Sequence, residues 1–293
     1  MQLYLLRIAS VVVIALVYML FDVLNKRNVP SIFAYATLVY VFVLTLLYLN
    51  ITSILSSTAI ALVVLGVGYI IYKIGQLGAA DVIEFAALSL IMPIQMAPLL
   101  AANISQFGLP FMLSMLLNTG IVALILVPVY YIPKARRSLK KPLSSFIDST
   151  DILKAAVLAV AYLAFIVFAV RFAGMGYIGM AILLLLLVCS CAIMLLSVPI
   201  TRSMIKYVSA ADFEEGDIIA FNLMDQGSIA RIKSKVKGFD RLLTNDLIKE
   251  LKRKRIKEKL PVYKEAMPFA LPIFAGVIIS IALGNLLFFI IVA

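Results

Sequence analysis

Residues 177–199 read YIGMAILLLLLVCSCAIMLLSVP, an apolar stretch without a single charged side chain. A helix needs about 20 apolar residues to cross the hydrocarbon core of a bilayer, so this stretch predicts a transmembrane helix. The whole chain shares this character, because 64% of its 293 residues are hydrophobic and only 14% are charged. Such a composition excludes a soluble nucleotide-binding fold, a secreted disulfide scaffold and a disordered regulator.

Similar apolar stretches predict an all-α polytopic membrane protein with about eight transmembrane helices. The predicted helices lie at about 3–21, 31–49, 55–72, 82–101, 109–131, 152–170, 177–199 and 268–292. Alternating the loops between the two sides places 24 of the 26 Lys and Arg residues on one side, and only Arg7 and Arg171 on the other. The positive-inside rule then predicts that the basic side is cytoplasmic, that both termini lie outside, and that the protein is in the cell membrane. Anionic lipid headgroups account for the net charge of +11, so we expect no nucleic-acid partner.

Residues 201–266 break the apolar pattern with 15 basic and 10 acidic residues. We expect a small cytoplasmic α+β subdomain between a transmembrane domain at 1–200 and a final transmembrane helix at 267–293. Its predicted elements are two short strands, in DIIAFNLM (217–224) and SIARIKSKVKGF (228–239), and a basic helix that Thr244 caps and Pro261 ends. The outer face of that helix fits water or lipid headgroups better than a dedicated docking site.

The chain has no histidine, and its two cysteines, Cys189 and Cys191, lie in the middle of an apolar stretch. Histidine metal sites, Ser-His triads and histidine proton relays are therefore excluded. A spacing of two residues does not make a CxxC pair, so the cysteines fit packing positions. We expect no metal and no cofactor, and any catalysis must use other side chains.

Three carboxyl residues, Asp22, Asp81 and Glu84, border or enter predicted spans. Acids in such positions are costly and usually have a partner or a function. Two complete predicted spans separate Asp22 from Asp81, so both aspartates should lie at the cytoplasmic boundary. Two carboxyls that share a partly desolvated site cannot both ionise cheaply, which is the acid and base arrangement of an aspartic protease. The alternative is that the aspartates are boundary residues paired with Lys26, Arg27 or Lys73.

The sequences around these aspartates resemble the type IV prepilin peptidase family, especially its archaeal members, which belong to the GxGD membrane aspartic proteases. The family's first motif, an Asp at the end of the first span followed by a basic residue and Val/Ile-Pro, is matched by Asp22, Arg27, Val29 and Pro30. Its second motif, GxGD and an apolar run, is matched by GAAD at 78–81 and VIEFAALSL at 82–90. The resemblance covers about residues 1–100 well and the last 80 residues more weakly.

This resemblance implies a catalytic core at about 1–105, with Asp22 and Asp81 as the catalytic pair and prepilins or pre-archaellins as substrates. Gly78, Glu84, Lys73 and Arg27 are supporting candidates. The chain departs from the family pattern at Ala80, where a glycine is usual, and at Ile83, where bacterial members have lysine. Eight spans would also exceed the six of archaeal relatives, and the extra pair would lie around 109–199.

Other functions fit the same residues. A presenilin-like protease would cut within an apolar helix, and MPFALP at 267–272 is similar to the PALP motif of that group. An ion-coupled transporter would use the three acids for coupling, although such sites usually lie at mid-membrane within internal repeats. An inactive assembly factor would retain the fold alone. The substrate, the preferred leader and the oligomeric state stay open.

Overall fold

The computed structural model describes residues 2–25, 29–48, 50–75, 77–92, 98–100, 109–139, 142–236, 238–254, 256 and 258–292. These residues are mostly helical. Five helices are long and apolar enough to cross a membrane: α1 (Gln2–Leu24), α3 (Ile51–Ile74), α5 (Phe111–Ser138), α6 (Ser149–Phe172) and α7 (Tyr177–Leu195). The remaining helices are α2 (Ser31–Tyr48), α4 (Ala79–Ile91), α8 (Ser197–Ser203), α9 (Gln226–Lys235), α10 (Asn245–Arg253), α11 (Ala270–Leu283) and α12 (Leu286–Val292). The expectation of a helical membrane protein is confirmed at this coarser level.

Six helices share the first apolar core. In it α4 packs against α2 and α3, while α11 packs against α5 and α1. Its largest fully buried side chains are Tyr18, Leu88, Ile91, Met115 and Ile273. The outward faces of α2 and α3 carry exposed Ile, Leu, Val and Tyr side chains, as expected where lipid is the solvent. The helices that carry Asp22 and Asp81, α1 and α4, both contribute to this core.

A second core joins α5, α6, α7 and α12 through Ile121, Ile166, Leu183, Leu186 and Ile290. α7 and α12 approach closely at Gly179, where an added Cβ would lie 1.9 Å from the backbone oxygen of Ile290. Small residues permit such backbone contact between membrane helices. Of these helices, α5, α6 and α7 occupy the 109–199 region, within which the sequence predicted an extra pair of spans.

The predicted helix at 82–101 is too long, because α4 ends at Ile91 and residues 98–100 are not helical, while 93–97 and 101 lie outside the described residues. Arg7 Nε donates to the carbonyl of Ile91 at 2.6 Å, and Thr45 Oγ1 donates to that of Leu90 at 3.1 Å. Both side chains thus satisfy carbonyls that the end of a helix leaves without intrahelical partners. With 13 residues, α4 is only about 20 Å long, which is short for a bilayer crossing.

The predicted single helix at 268–292 is also divided, into α11 and α12, at Gly284 with φ of 76°. The buried side chain of Asn118 on α5 fills this break. Its Nδ2 donates to Ser280 Oγ and to the carbonyl of Gly284, both at 2.8 Å, and its Oδ1 accepts the N–H of Leu286 at 2.9 Å. One amide side chain therefore replaces backbone hydrogen bonds that the break removes.

The subdomain after α8 has its own apolar core, which includes Ile219, Leu243 and Leu251. Its strands are β1 (Lys206–Val208) and β2 (Leu260–Val262), an antiparallel pair. The two strands predicted at 217–224 and 228–239 are wrong. In the first region only isolated bridges form, and most of the second is helix α9.

The error at α9 has a simple cause. The Asp225 carboxylate accepts the N–H of Ser228 at 2.7 Å and caps the helix, so this residue begins a helix where a turn was expected. Ile229, Ile232 and Val236 also follow helical spacing. The basic helix is present as α10 with the predicted Thr244 cap, but it ends at Arg253, and Pro261 lies in β2.

Candidate active site

The end of α1 and the start of α11 meet where Asp22 lies. α1 ends at Leu24, and the carboxyl of Asp22 is buried two residues before that end, with 6% of the residue exposed. Its Oδ2 accepts the backbone N–H of Ala270, the first residue of α11, at 2.9 Å. The first N–H groups of a helix have no intrahelical acceptor, so this carboxyl supplies one. α11 is thereby attached to the end of α1.

Asp81 lies in the first turn of α4. α3 ends at Ile74 and is capped by Gly75, whose φ of 77° favours glycine, and the chain enters α4 through Gly78. The N–H of Gly78 donates to Asp81 Oδ2 at 3.0 Å, and an added Cβ at position 78 would come within 3.0 Å of the same oxygen. A glycine at 78 therefore suits the close carboxyl. Ala80 already lies inside α4, so the backbone freedom of glycine is not needed there.

The structure brings Asp22, Asp81 and Glu84 together as one group, which we call the carboxyl cluster. The Asp22 carboxyl is near enough to interact electrostatically with both Asp81 and Glu84, and Asp81 interacts with Glu84 one helical turn away. Three negative charges at this range would repel one another, so the group favours states in which at least one of the acids is neutral. A neutral acid near an ionised one is the arrangement that acid and base chemistry requires.

Glu84 is the deepest member of the carboxyl cluster, with none of its surface exposed. In the part of the chain that the structure describes, neither of its carboxyl oxygens has a hydrogen-bond partner. The buried hydroxyl of Tyr18, one turn before Asp22 on α1, interacts electrostatically with Glu84 and Asp81. An ionised carboxylate buried without donors is very costly, so this pocket suits the neutral acid.

The other supporting candidates lie apart from the carboxyl cluster or cannot be placed. Lys73 is exposed, and its ammonium lies 5.5 Å from the ring centre of Tyr69 on its own helix. Arg27, like Lys26, falls outside the described residues. Among the residues that are described, no lysine or arginine forms an ion pair with Asp81 or Glu84. A boundary salt bridge with Lys73 therefore does not explain Asp81.

Sequence reasoning missed two contributors to the site, Tyr18 and the N–H of Ala270. The spacing of four residues between Tyr18 and Asp22 was the available signal for the first, since it places both on one helix face. The prolines of MPFALP at 267–272 indicated a helix start but not its attachment to Asp22.

The described residues contain no group of three or more His, Cys, Asp or Glu side chains arranged to hold a metal ion. Comparisons with protein-family models, with curated proteins and with solved structures find no match for this chain.

Proposed function

We propose that the protein is a membrane aspartic endopeptidase that removes short basic leaders from prepilins or pre-archaellins, with Asp22 and Asp81 as its catalytic pair. The observation that carries this proposal is the shared position of two acids from separate helices. They are 59 residues apart in sequence, yet their carboxyls interact within one group. The motif resemblance around both residues supports the same function.

The chemistry needs only the two aspartates and water. As the water oxygen adds to the scissile carbonyl carbon, the ionised aspartate takes a proton from that water and the protonated one donates to the carbonyl oxygen. When the resulting diol collapses, the C–N bond breaks. One aspartate then takes back a hydroxyl proton and the other protonates the leaving nitrogen. The pair ends with the single shared proton with which it began.

The proposed topology has eight crossings, in which α4 and the pair α11 and α12 are counted as one crossing each. The carboxyl cluster then lies at the cytoplasmic boundary of the cell membrane. A substrate with a basic leader in the cytoplasm and an apolar helix in the bilayer would present its scissile bond at that depth. The basic loops would contact anionic headgroups, each surface Lys or Arg contributing about 1 kcal/mol.

The decisive experiment measures leader removal by Asp22→Asn and Asp81→Asn variants in proteoliposomes that contain a prepilin. Both variants should lose cleavage while eluting as folded, monodisperse protein, because an amide is too weak an acid and too weak a base to transfer protons in the reaction. Asp246→Asn, at an exposed acid in the first turn of α10, is the matched control and should cleave normally. Full cleavage by Asp22→Asn or by Asp81→Asn would contradict the proposal.

One observation favours a second function. Broken membrane helices such as α11 and α12 are common in secondary transporters, where half-helix ends form ion sites. Proton-coupled uptake in proteoliposomes that is lost in Asp81→Asn would support a transporter. Mapping the cleaved bond separates the two proteases, since a presenilin-like enzyme would cut inside the apolar helix and a prepilin peptidase before it.

A further inference from the structure

The segment 263–269 joins strand β2 of the subdomain to helix α11 and ends beside Asp22, and we call this segment the strap. Its last residue precedes Ala270, whose N–H donates to Asp22 Oδ2 at 2.9 Å. The position of the strap therefore fixes which donor the Asp22 carboxyl receives and from which direction. Whatever holds the strap also holds this part of the carboxyl cluster.

Two side chains of α5 hold the strap from the membrane side. Lys134 Nζ lies 2.6 Å from Glu265 Oε2 and also donates to the carbonyl oxygen of Glu265 at 3.0 Å. One turn earlier, the buried hydroxyl oxygen of Tyr131 accepts the N–H of Met267. A single helix face thus binds both the side chain and the backbone of the strap.

The subdomain holds the same residue from the other side. Lys206 Nζ of β1 lies 2.5 Å from Glu265 Oε1, and the N–H of Glu265 donates to the carbonyl of Met204 at 3.0 Å. Hydrogen bonds from Lys134 and then Lys206 keep the pKa of Glu265 below its ordinary value. The ionic contribution is therefore complete at neutral pH and is lost only in acid, as the pH falls through that lowered pKa.

We propose that Lys134 and Glu265 are positioning residues, whose ion pair holds the start of α11 so that Ala270 keeps Asp22 in the geometry for peptide cleavage. This inference rests on the proposed peptidase function. Only four residues separate Glu265 from Ala270, and Met267 between them is also attached to α5. The strap is short, so a displacement of Glu265 also displaces Ala270 and changes the hydrogen bond that Asp22 accepts. Displacements of about 1 Å in a catalytic group can lower rates on the order of 100-fold.

The test compares Lys134→Met with Lys134→Arg in the full-length protein in proteoliposomes, using a prepilin substrate. Methionine retains the apolar stem and removes both contacts to Glu265, so kcat should fall about 10-fold or more while KM changes less than about threefold. Arginine retains the charge and should restore most of kcat. Lys154→Met, which removes an ion pair with Asp151 on α6 and touches neither the strap nor the carboxyl cluster, is the matched control and should leave kcat unchanged.

Hydrogen exchange at the Ala270 amide gives a readout independent of cleavage. Exchange at Ala270 should be faster in Lys134→Met than in wild type or Lys134→Arg, because the start of α11 is no longer held against its acceptor, the Asp22 carboxyl. Unchanged kcat in Lys134→Met, or a rise in KM alone, would overturn the positioning role. If Lys134→Met fails to fold, Glu265→Gln decides, since it removes the negative charge that Lys134 and Lys206 bind and nearly preserves the shape of the side chain. A kcat equal to wild type in that variant also overturns the role.

The two proposals fail in different ways. Full cleavage by Asp22→Asn would contradict the proposed peptidase function, whatever the results for the strap variants. Loss of cleavage in Asp22→Asn together with normal kcat and normal Ala270 exchange in Lys134→Met leaves the peptidase standing and removes only the role of the strap.

Discussion

Asn118 and Glu84 are both fully buried polar side chains, but their hydrogen-bonding surroundings differ. Asn118 at the break between α11 and α12 uses both atoms of its amide, with two donated hydrogen bonds and one accepted. Glu84 in the carboxyl cluster has no partner for either oxygen among the described residues. A matched buried group serves the fold, whereas an unmatched one calls for another explanation. We therefore expect changes at the break to affect stability and changes at the cluster to affect function.

The largest expected effect on stability is at Gly276, where α11 crosses α5 beside Asn118. An added Cβ there would lie 2.3 Å from Thr119 Oγ1 and 2.7 Å from the Thr119 backbone nitrogen. Gly276→Leu should therefore prevent α11 from packing, and the protein should elute as aggregate or be degraded. Gly66→Leu on α3 is the control, because nothing lies within 4 Å of an added Cβ at that position. A monodisperse Gly276→Leu protein would contradict this account of the crossing.

Asn118→Leu comes next, because it leaves the carbonyl of Gly284 and the N–H of Leu286 without their partner. We expect a loss of about 2–4 kcal/mol in the free energy of unfolding, from two or three buried groups left unsatisfied. Thermal unfolding in detergent would measure it as a lower Tm. Ser190→Ala is the control, since Ser190 donates only to the carbonyl of Leu186 within its own helix. Equal Tm values for the two variants would remove the contrast between the break and the cluster.

The break also shows where sequence reasoning stopped. Hydropathy located the long helices well, because lipid exposure demands apolar residues wherever the helix continues. Residues 268–292 remain apolar through the break, so hydropathy predicted one helix, and only Gly284-Asn285 marked its division. The partner of that break, Asn118, is 166 residues away from Gly284, and no local pattern could identify it.

The residues of the candidate active site also differ in how far the sequence alone could identify them. Asp22, Asp81 and Glu84 stood out in the sequence because carboxyls are rare within apolar stretches. Ala270 did not, because its contribution is a backbone N–H that any residue type would provide. The ionic anchors of the strap were also hidden, since Lys134 and Glu265 lie in loops and helix ends where charges are common.

At the carboxyl cluster, Asp22→Asn should separate function from stability. Asparagine can still accept the Ala270 N–H through its Oδ1, and replacing an acid relieves repulsion within the cluster. The free energy of unfolding should therefore change by less than about 1 kcal/mol, while leader cleavage is lost. Parallel measurement of Tm and of cleavage checks the expected stability and the expected loss of function. A fall in Tm as large as that of Asn118→Leu would show that Asp22 serves the fold in the same way as the amide.

The smallest effect is expected from Glu84→Gln. The pocket around Glu84 suits a neutral group, and glutamine has nearly the same shape as the protonated acid, so the fold should tolerate the change. Its amide does bring a second N–H hydrogen into a site without a described acceptor, which we expect to lower the free energy of unfolding by about 1 kcal/mol. Cleavage should remain within about threefold of wild type if Glu84 only holds a proton near the pair. Glu84→Ala is the matched comparison, because it removes the group and leaves a cavity, and its Tm should fall further. Complete loss of cleavage in Glu84→Gln, with Tm unchanged, would instead make Glu84 a third participant in proton transfer.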